Sequence, residues 1–432
     1  MEFRFPYPDV PPLSIADTSV LGVFAAKECA SCGDPRDMVR DALASPIGAP
    51  RVADLVRQKR PGGVKSVLIV VDDVSRPTPI HVVLPLLLAE LRAAGVPDTG
   101  IEFLLALGSH RFMTPAEIAA KVGADIASRY PVHNHDWKDP HVCELIGRTA
   151  QGVDVWINKR VASADLVIGV GRIMPIEVCG FTGGGKILVP GVCGKLTNDD
   201  MHWTRMDLPD HLVIGKRDNP VRASIDQLAR TAGLDFIVNL IMDSMGQIRG
   251  VVAGDMVEAH RRGCELALDV HAVRFPGEAD IVVADSHPFD IEFWQANKAL
   301  DQAGLVVRQG GALILVSPCT EGFSATHREL IDFGYPPVAD IKRMVAEGRI
   351  ASKVVAVHMA QVSRIAREKA TVILVTKGIS EHDVRKVGLE YAATPQAALK
   401  MAFGVAGTEA KVALIRGAAE MLPIVGSKGG IS

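Results

Sequence analysis

Aromatic residues and clustered basic residues are scarce in this chain. Phe, Trp and Tyr make up 5% of its 432 residues, the formal net charge is −3, and no block of lysines and arginines stands out. A nucleic-acid surface needs a basic patch and aromatic side chains on which bases stack, so the sequence predicts no nucleic-acid partner. The composition is still compatible with a small anionic ligand, because a single pocket can be basic when the whole chain is not.

Long uninterrupted apolar runs are also missing. The N-terminus, MEFRFPYPDVPP, has no basic region followed by an apolar segment, and no later stretch reaches the roughly 18 apolar residues that a membrane-spanning helix needs. The sequence therefore predicts no membrane association and, by default, a cytoplasmic location.

The cysteines do not form a disulfide or zinc framework. There are seven, an odd number scattered along the chain, and Cys29 and Cys32 form one CxxC without a second pair at metal-finger spacing. We interpret them as reduced thiols.

The composition is that of a globular protein, with 48% hydrophobic and 22% charged residues, and the length suits two or at most three domains. From residue 66 the chain repeats a strand, a loop and a helix: SVLIVVDD precedes a helical segment, as does IEFLLALGSH, and ADLVIGVGR leads into a glycine-rich stretch. Parallel strands place such loops at one edge of the sheet. We therefore expect 72–76, 108–110 and 172–186 to line one crevice.

A second series of buried strands begins near Glu278: EADIVVADS, GGALILVSPC, ASKVVAVHMA and KATVILVTKG, with helical patterns between them. Pro276 and Gly277 follow a helical segment and mark a hinge. The predicted fold is α/β, with two α/β domains of mainly parallel sheets, a cofactor-tethering domain over 1–272 and a C-terminal domain over 273–432. A cofactor cleft between the domains is expected.

The glycine-rich stretch has two interpretations. GFTGGGK at 180–186 fits the GxxxxGK core of the phosphate loop of nucleotide hydrolases. Ile187, however, stands where that loop needs a Ser or Thr for magnesium, and Pro190 would break the helix that should follow. The alternatives are a glycine-rich turn with an exposed lysine, or a lysine held at an anionic ligand as a cation or as a nucleophile.

Other residues could carry chemistry. DDVSRP at 72–77 offers carboxylate, hydroxyl and guanidinium groups, or simply a capped turn. His110 ends a strand, and an imidazole, whose unperturbed pKa is roughly 6.5, suits an acid or base near neutral pH. Gln295 and Lys298 share one helix face and could hold a carboxylate, and His202 could bind a metal. HNHDWKDPHVC, with His133, His135, His141 and Cys143, is a weaker metal candidate among turn signals.

Together these residues resemble the nickel-dependent lactate racemases, the nickel-pincer nucleotide enzymes. The matching segments are DDVSRP at 72–77, ALGSHRFMT at 106–114, GFTGGGKILVPG at 180–191, His202, and QANK at 295–298. None of them is specific alone, but they occur in the family's order and spacing.

The resemblance implies a cofactor and a set of roles. The cofactor is pyridinium-3,5-bisthiocarboxylic acid mononucleotide nickel, covalently tethered to Lys186 and contacted by Asp73, Ser75, Gly183 and Gly184. His202 would be the protein ligand to nickel. Arg76, Gln295 and Lys298 would bind the substrate carboxylate while hydride moves to and from the cofactor. His110 matches one of the family's two acid/base histidines.

The chain departs from the family at the other histidine. That residue follows the proline of the glycine-rich region, and here the position is Ile176, so a carboxylate at Glu177 is the expected replacement. The resemblance therefore implies a divergent racemase or epimerase of a small 2-hydroxy acid or sugar acid. Its implied partners are that substrate and the cofactor-maturation proteins, and a homo-oligomer is compatible with the sequence. The alternatives are a phosphate-loop nucleotide hydrolase and a non-catalytic homologue that binds cofactor or anions.

Overall fold

A computed structural model gives the fold of residues 1–27, 33–59, 63–149 and 152–426. Cys29 and Cys32, the CxxC of the sequence, lie outside these described residues. The chain divides into two compact units. We call Glu28–Val270 the central unit, and Met1–Lys27 together with His271–Ser432 the terminal unit.

The strands alternate with helices along most of the chain. In order they are β1 (Glu2–Phe3), β2 (Leu13–Ser14), β3 (Val20–Ala25), β4 (Val67–Asp72), β5 (Ile101–Ala106), β6 (Val132–Asn134), β7 (Cys143–Arg148), β8 (Asp154–Asn158), β9 (Leu166–Arg172), β10 (Pro175–Ile176), β11 (Gly180–Phe181), β12 (Phe236–Met242), β13 (Ile248–Gly254), β14 (Ala272–Phe275), β15 (Ala279–Asp285), β16 (Val307–Val316), β17 (Ala370–Val375), β18 (Glu390–Ala392), β19 (Val412–Arg416) and β20 (Leu422–Val425).

The helices cover the faces of the sheets. They are α1 (Pro35–Ala44), α2 (Val52–Lys59), α3 (Ile80–Ala93), α4 (Pro115–Val122), α5 (Ala124–Arg129), α6 (Lys159–Ser163), α7 (Lys195–Trp203), α8 (Pro220–Thr231), α9 (Glu258–His271), α10 (Phe293–Gly304), α11 (Glu329–Phe333), α12 (Val338–Ala346), α13 (Lys353–Ser363), α14 (Glu381–Lys386) and α15 (Pro395–Ala406). Within the described ranges, no helix is both long and apolar enough to cross a membrane.

The central unit is built on a six-stranded sheet in the order β13-β12-β9-β4-β5-β6. Every neighbouring pair is parallel except β12 and β13, which are antiparallel. The core lies on both faces of the sheet: alternate residues of β4 belong to two different hydrophobic clusters, with Ile69 in one and Val70 in the other. Burial on both faces explains why β4 reads as an unbroken apolar run. The chain order reverses beside β4, which places the loops after β4 and β9 at a topological switch point.

The terminal unit has its own six-stranded sheet, in the order β18-β17-β16-β15-β19-β3, and all its neighbouring pairs are parallel. The edge strand β3 comes from the N-terminal segment and pairs with β19, near the other end of the sequence. The fold class predicted from the sequence, α/β with mainly parallel sheets, is confirmed. The break at Val270/His271 lies two residues from the predicted domain boundary, but Met1–Lys27 pack with the C-terminal residues.

One predicted strand is wrong. The run ASKVVAVHMA forms helix α13 instead, with Ser352 as its N-cap accepting a hydrogen bond from the Val355 backbone N–H. Residues Val354 to Ser363 of this helix are all buried, so its sequence has no polar face and shows no helical periodicity. A short apolar run of this kind cannot be assigned to a strand or a helix by pattern alone.

Candidate active site

Three loops of the central unit meet at the carboxyl edge of its sheet. They follow β4, β5 and β9, which are adjacent and parallel. The Gly108 backbone N–H, after β5, donates to the Gly191 carbonyl at 2.9 Å, and the loops after β4 and β5 are joined by side-chain bonds. The predicted proximity of 72–76 and 108–110 is confirmed, and the charge of Arg76 acts on Lys186 in the third segment. That the three segments line one crevice stays a prediction.

A carboxylate holds His110 from the neighbouring loop. Asp73 Oδ2 lies 2.6 Å from His110 Nδ1, while Ser75 Oγ donates to Asp73 Oδ1 at 2.6 Å and lies 3.3 Å from the same imidazole nitrogen. Burial opposes the ionisation of Asp73, but the charge and hydrogen bond of His110 outweigh it and hold the pKa of Asp73 well below its usual value. Asp73 is therefore ionised and fixes the orientation of the ring.

The glycine-rich segment is a compact turn packed against the sheet. Gly183 has a φ of +79°, and a Cβ there would lie 2.7 Å from Asn239 Oδ1 and 2.6 Å from the Ile173 side chain. The Gly184 backbone N–H donates to Asn239 Oδ1 at 2.9 Å. Local packing alone therefore requires glycine at Gly183, and the Gly184 N–H is already bonded within the protein; their assignment to the cofactor stays a prediction.

Lys186 lies on the 3₁₀ turn Gly184–Ile187 and is partly buried. Its Nζ has no hydrogen-bond or ion-pair partner in the part of the chain that the structure describes. Burial lowers the pKa of the amine; Cys179 and Glu177 oppose this shift, while the guanidinium of Arg76 adds to it. A larger fraction of the amine is therefore neutral, and so nucleophilic, than for an exposed lysine.

His202, on α7, faces the same amine. Its Nδ1 donates to the Asn198 carbonyl at 2.9 Å, which leaves the Nε2 lone pair of the neutral ring without a partner among the described residues. Burial lowers the pKa of His202 to about 4, and the charge of Lys186 acts in the same direction. The imidazole is neutral at pH 7, the form that binds a metal.

Ile176 and Glu177 are both buried, but Ile176 packs in an apolar cluster, whereas Glu177 has a carboxylate oxygen without a hydrogen-bond partner among the described residues. Ile176 ends β10 and is 3% exposed within an apolar cluster that includes Val178 and Phe181. Glu177 begins the turn between β10 and β11 and is 8% exposed, and its Oε2 has no hydrogen-bond partner in the described chain. The fully buried Arg205 fixes this turn, because its Nε donates to the Glu177 carbonyl at 2.9 Å.

Gln295 and Lys298 belong to the terminal unit, on α10. Both are buried, and the Lys298 amine donates to Gln295 Oε1. Lys298 Nζ also lies 4.7 Å from the centroid of the Phe289 ring. The predicted pairing of these two side chains on one helix face is confirmed, whereas their role toward a substrate stays a prediction.

Two of the remaining histidine candidates, His133 and His135, have structural partners. His135 is fully buried between the Cys193 carbonyl, at 2.9 Å from Nε2, and the Asn158 side chain, at 3.0 Å from Nδ1. His133 Nε2 lies 3.3 Å from Glu102. Across the described residues, no group of three or more His, Cys, Asp or Glu side chains is arranged to hold a metal. A site in which His202 is the single protein ligand does not require such a group.

Three residues that contact the segment from Glu177 to Lys186 are not predicted from the sequence. Cys179 lies in the turn after Glu177, and its thiol donates to the Phe181 carbonyl at 3.2 Å. Arg222, from α8, donates to the Phe181 and Gly183 carbonyls, and Arg205 holds the Glu177 carbonyl. Cys179 could have been suspected from its place before the glycine-rich segment, but no sequence signal marks the two arginines.

Two family models match this chain. The lactate racemase N-terminal domain matches residues 10–210, and the lactate racemase C-terminal domain matches residues 275–422. The chain belongs to the lactate racemase family. This places it among the isomerases.

Individual relatives agree with this assignment. The lactate racemase of Thermoanaerobacterium thermosaccharolyticum is 32% identical over 289 residues, which is 66% of each chain. The lactate racemase of Lactiplantibacillus plantarum is 32% identical over 291 residues, 66% of this chain and 67% of the relative. The aligned region thus spans about two thirds of the length of these relatives.

Solved structures extend the likeness over nearly the whole chain. The lactate racemase apoprotein of Thermoanaerobacterium thermosaccharolyticum has a TM-score of 0.86 and 27% identity, covering 98% of this chain and 100% of that chain. A protein from Thermotoga maritima has a TM-score of 0.72 and 22% identity, covering 91% and 99%, and supports the fold alone.

Proposed function

We propose that this member of the lactate racemase family is a racemase or epimerase. It inverts the hydroxyl-bearing carbon of a small 2-hydroxy acid or sugar acid and uses a nickel-pincer nucleotide tethered to Lys186. One observation carries the proposal: the His202 imidazole lies close enough to Lys186 for the lysine charge to act on it, and neither Lys186 Nζ nor His202 Nε2 has a partner in the described chain. A reactive amine beside a neutral imidazole suits a covalent anchor beside a metal ligand.

The residues present fit such a group. Arg76 and Arg222 both lie close enough to lower the pKa of Lys186, so the surroundings of the amine are cationic and suit a phosphorylated nucleotide. The hydrogen bond from His202 Nδ1 to Asn198 orients Nε2 for a metal. The phosphate-loop alternative loses support, because the chain forms a 3₁₀ turn at Lys186 and the next α-helix begins only at Lys195.

When bound, the cofactor would accept a hydride from the hydroxyl-bearing carbon and return it to either face. The chain's own residues would handle the protons and the carboxylate. His110, oriented by ionised Asp73, would take the hydroxyl proton on one side and give it back. Arg76, Gln295 and Lys298 would bind the substrate carboxylate and hold the carbon in place.

Glu177 is the proposed second acid/base, in place of the histidine that the resemblance leads one to expect at Ile176. Its Oε2 is buried and unpartnered in the described chain, and its charge acts on Lys186, so the carboxylate lies near the tether. A carboxyl group within reach of the substrate hydroxyl can act as a general acid or base. Ile176 has no proton to exchange and serves the apolar core.

The proposal has consequences for substrate and partners. The two relatives named above are lactate racemases, so lactate is the first substrate to test, followed by larger 2-hydroxy acids and sugar acids. Proteins that build and deliver the cofactor are required partners. Protein produced without them would lack the cofactor and would be inactive. We propose that the protein is cytoplasmic and has no nucleic-acid or membrane partner. A homo-oligomer is compatible with the proposal.

A turnover screen tests the proposed function. Holoprotein, made together with the maturation proteins and nickel, is incubated with single enantiomers of 2-hydroxy acids and with sugar acids, and the products are resolved by chiral chromatography. We expect inversion of at least one acid, lost in Lys186→Ala. No inversion by nickel-loaded protein would favour a non-catalytic cofactor-binding homologue, and nucleotide turnover that needs magnesium would favour a hydrolase.

A further inference from the structure

Three side chains in the terminal unit form a stacked group that the proposed chemistry does not use. Trp294 packs against two imidazoles: its ring centroid is 4.4 Å from that of His327 and 4.3 Å from that of His358, the latter pair stacked at 24°. We call Trp294, His327 and His358 the indole–imidazole stack. Both histidines are buried, while Trp294 is partly exposed, so the stack reaches from the interior to the surface of its unit.

The stack adjoins Lys298, one of the side chains proposed to bind the substrate carboxylate. Trp294 and Lys298 are four residues apart on α10, and residues at this spacing lie on the same helix face. His358, on α13, is close enough to Lys298 for the lysine charge to act on it. A 2-hydroxy acid whose carboxylate is bound by Gln295 and Lys298 would therefore extend its remaining carbons toward Trp294 and His358.

His358 carries an unused hydrogen-bonding atom. The side chain is 6% exposed, and its Nε2 has no hydrogen-bond partner among the described residues. Leaving a buried polar atom unpaired costs free energy, and such an atom in a site calls for a ligand group. Burial, with the charges of His327 and Lys298, lowers the pKa of His358 to about 3, so the ring is neutral and complements a hydroxyl group, which can donate as well as accept.

We propose that Trp294 and His358 recognise a hydroxyl group on the carbon next to the one that is inverted. The substrate class is then the 2,3-dihydroxy acids, the head group that glycerate shares with aldonic sugar acids. This inference rests on the proposed function and narrows its substrate.

The geometry disfavours the two simpler substituents. A methyl group, as in lactate, would leave His358 Nε2 unpaired inside the site. A second carboxylate would meet a neutral imidazole rather than a cation, and Lys298 is already assigned to the first carboxylate. The partly exposed indole of Trp294 supplies apolar contact to the carbon-bound hydrogens of a polyhydroxy chain.

Glycerate and 2-hydroxybutyrate form a matched pair of probes, because they are similar in size and differ in a terminal hydroxyl against a terminal methyl. Holoprotein is assayed for inversion of each acid and for binding by titration calorimetry. We expect glycerate to be favoured by about tenfold or more in kcat/KM and in Kd. His358→Phe should reduce that preference to within about threefold, mainly through weaker use of glycerate, and His358→Gln should restore part of it.

The exposed His382 provides the control, since His382→Phe should leave the preference unchanged. Circular dichroism and thermal unfolding establish that each variant is folded. Equal use of both acids by the wild type, or an unchanged preference in folded His358→Phe, would overturn the inference while leaving the proposed function intact. If neither acid is inverted, the result counts against the proposed function. The inference is then decided by the Kd values alone, and it requires glycerate to bind about tenfold more tightly than 2-hydroxybutyrate.

Discussion

Asp73 Oδ2 lies 2.6 Å from His110 Nδ1, and this contact joins the loops that follow two adjacent parallel strands of the central sheet. The carboxylate is almost completely buried, whereas the imidazole is partly exposed. A buried carboxylate behind an accessible imidazole fixes the orientation of the ring. Asp73 thus acts as a positioning residue for the proposed base, a role distinct from the cofactor contact that the resemblance implies.

Neutralising Asp73 should weaken the proposed base without unfolding the protein. In Asp73→Asn we expect kcat for the inverted acid to fall by about 10- to 100-fold, because the amide no longer fixes the orientation and tautomer of the His110 ring. The exposed Asp37→Asn is the matched control. An unchanged kcat in folded Asp73→Asn would contradict this role.

Substitutions at Ile176 and Glu177, in the turn between β10 and β11, test the proposed second acid/base. Glu177→Gln should lower kcat by about 100-fold or more, as removal of a general acid or base does. The double variant Ile176→His with Glu177→Gln should recover part of that loss if an imidazole can reach the same proton. The buried histidine should cost about 1 to 3 kcal/mol of unfolding free energy, which urea denaturation measures. Full activity in folded Glu177→Gln would refute the assignment.

Arg205 should stabilise the turn that presents Glu177. Its guanidinium is fully buried, bonds the Glu177 carbonyl at 2.9 Å, and pairs with Asp210. Because Asp210 is partly exposed, we expect Arg205→Met to cost about 2 to 4 kcal/mol in urea unfolding, below the largest losses for broken buried pairs. Arg217→Met, which breaks surface pairs, should cost no more than about 1 kcal/mol. Equal effects of the two variants would contradict this account.

Acid should destabilise the protein through His135. Burial lowers its pKa to about 4, although the Cys193 carbonyl opposes the shift, whereas the unfolded side chain has a pKa of about 6.5. The unfolded state therefore binds the proton first as the pH falls, and the stability contributed by the neutral ring is complete above pH 6.5 and is lost toward pH 4. We expect a loss of about 2 kcal/mol between pH 7 and pH 5 from this group.

Urea unfolding of the wild type and His135→Gln at both pH values measures that difference. The variant should be less stable at pH 7 but should lose about 2 kcal/mol less than the wild type on acidification. His382→Gln, at an exposed position, should follow the wild type. Identical pH dependence in wild type and His135→Gln would exclude His135 as the source.

The sequence predicts those parts of the site that depend on local pattern and on strand direction. Strand β4 and the residues after it could be read from an apolar run ending in Asp72, and parallel pairing then brings Asp73 toward His110. The glycines around Lys186 and their spacing to His202 carry the family resemblance. These features need only short segments and one general rule about sheets.

The parts that sequence could not give depend on long-range packing. Arg205, in the turn after α7, bonds the Glu177 carbonyl, and Arg222, on α8, bonds the Phe181 carbonyl. No sequence motif links either arginine to its partner. The N-terminal strand β3 completes the sheet of the terminal unit beside β19, far along the chain. The sequence of helix α13 resembles a buried strand. The helix is buried on all sides, so it lacks the alternation of apolar and polar residues that distinguishes a helix from a strand.

The covalent role of Lys186 is the central claim, and intact-mass spectrometry tests it most directly. Wild type and Lys186→Ala are each produced with the maturation proteins and nickel, and mass and metal content are measured together. The account predicts a mass increase equal to the tethered cofactor, with bound nickel, in the wild type alone. No mass increase in the wild type, or the same increase in Lys186→Ala, would contradict it.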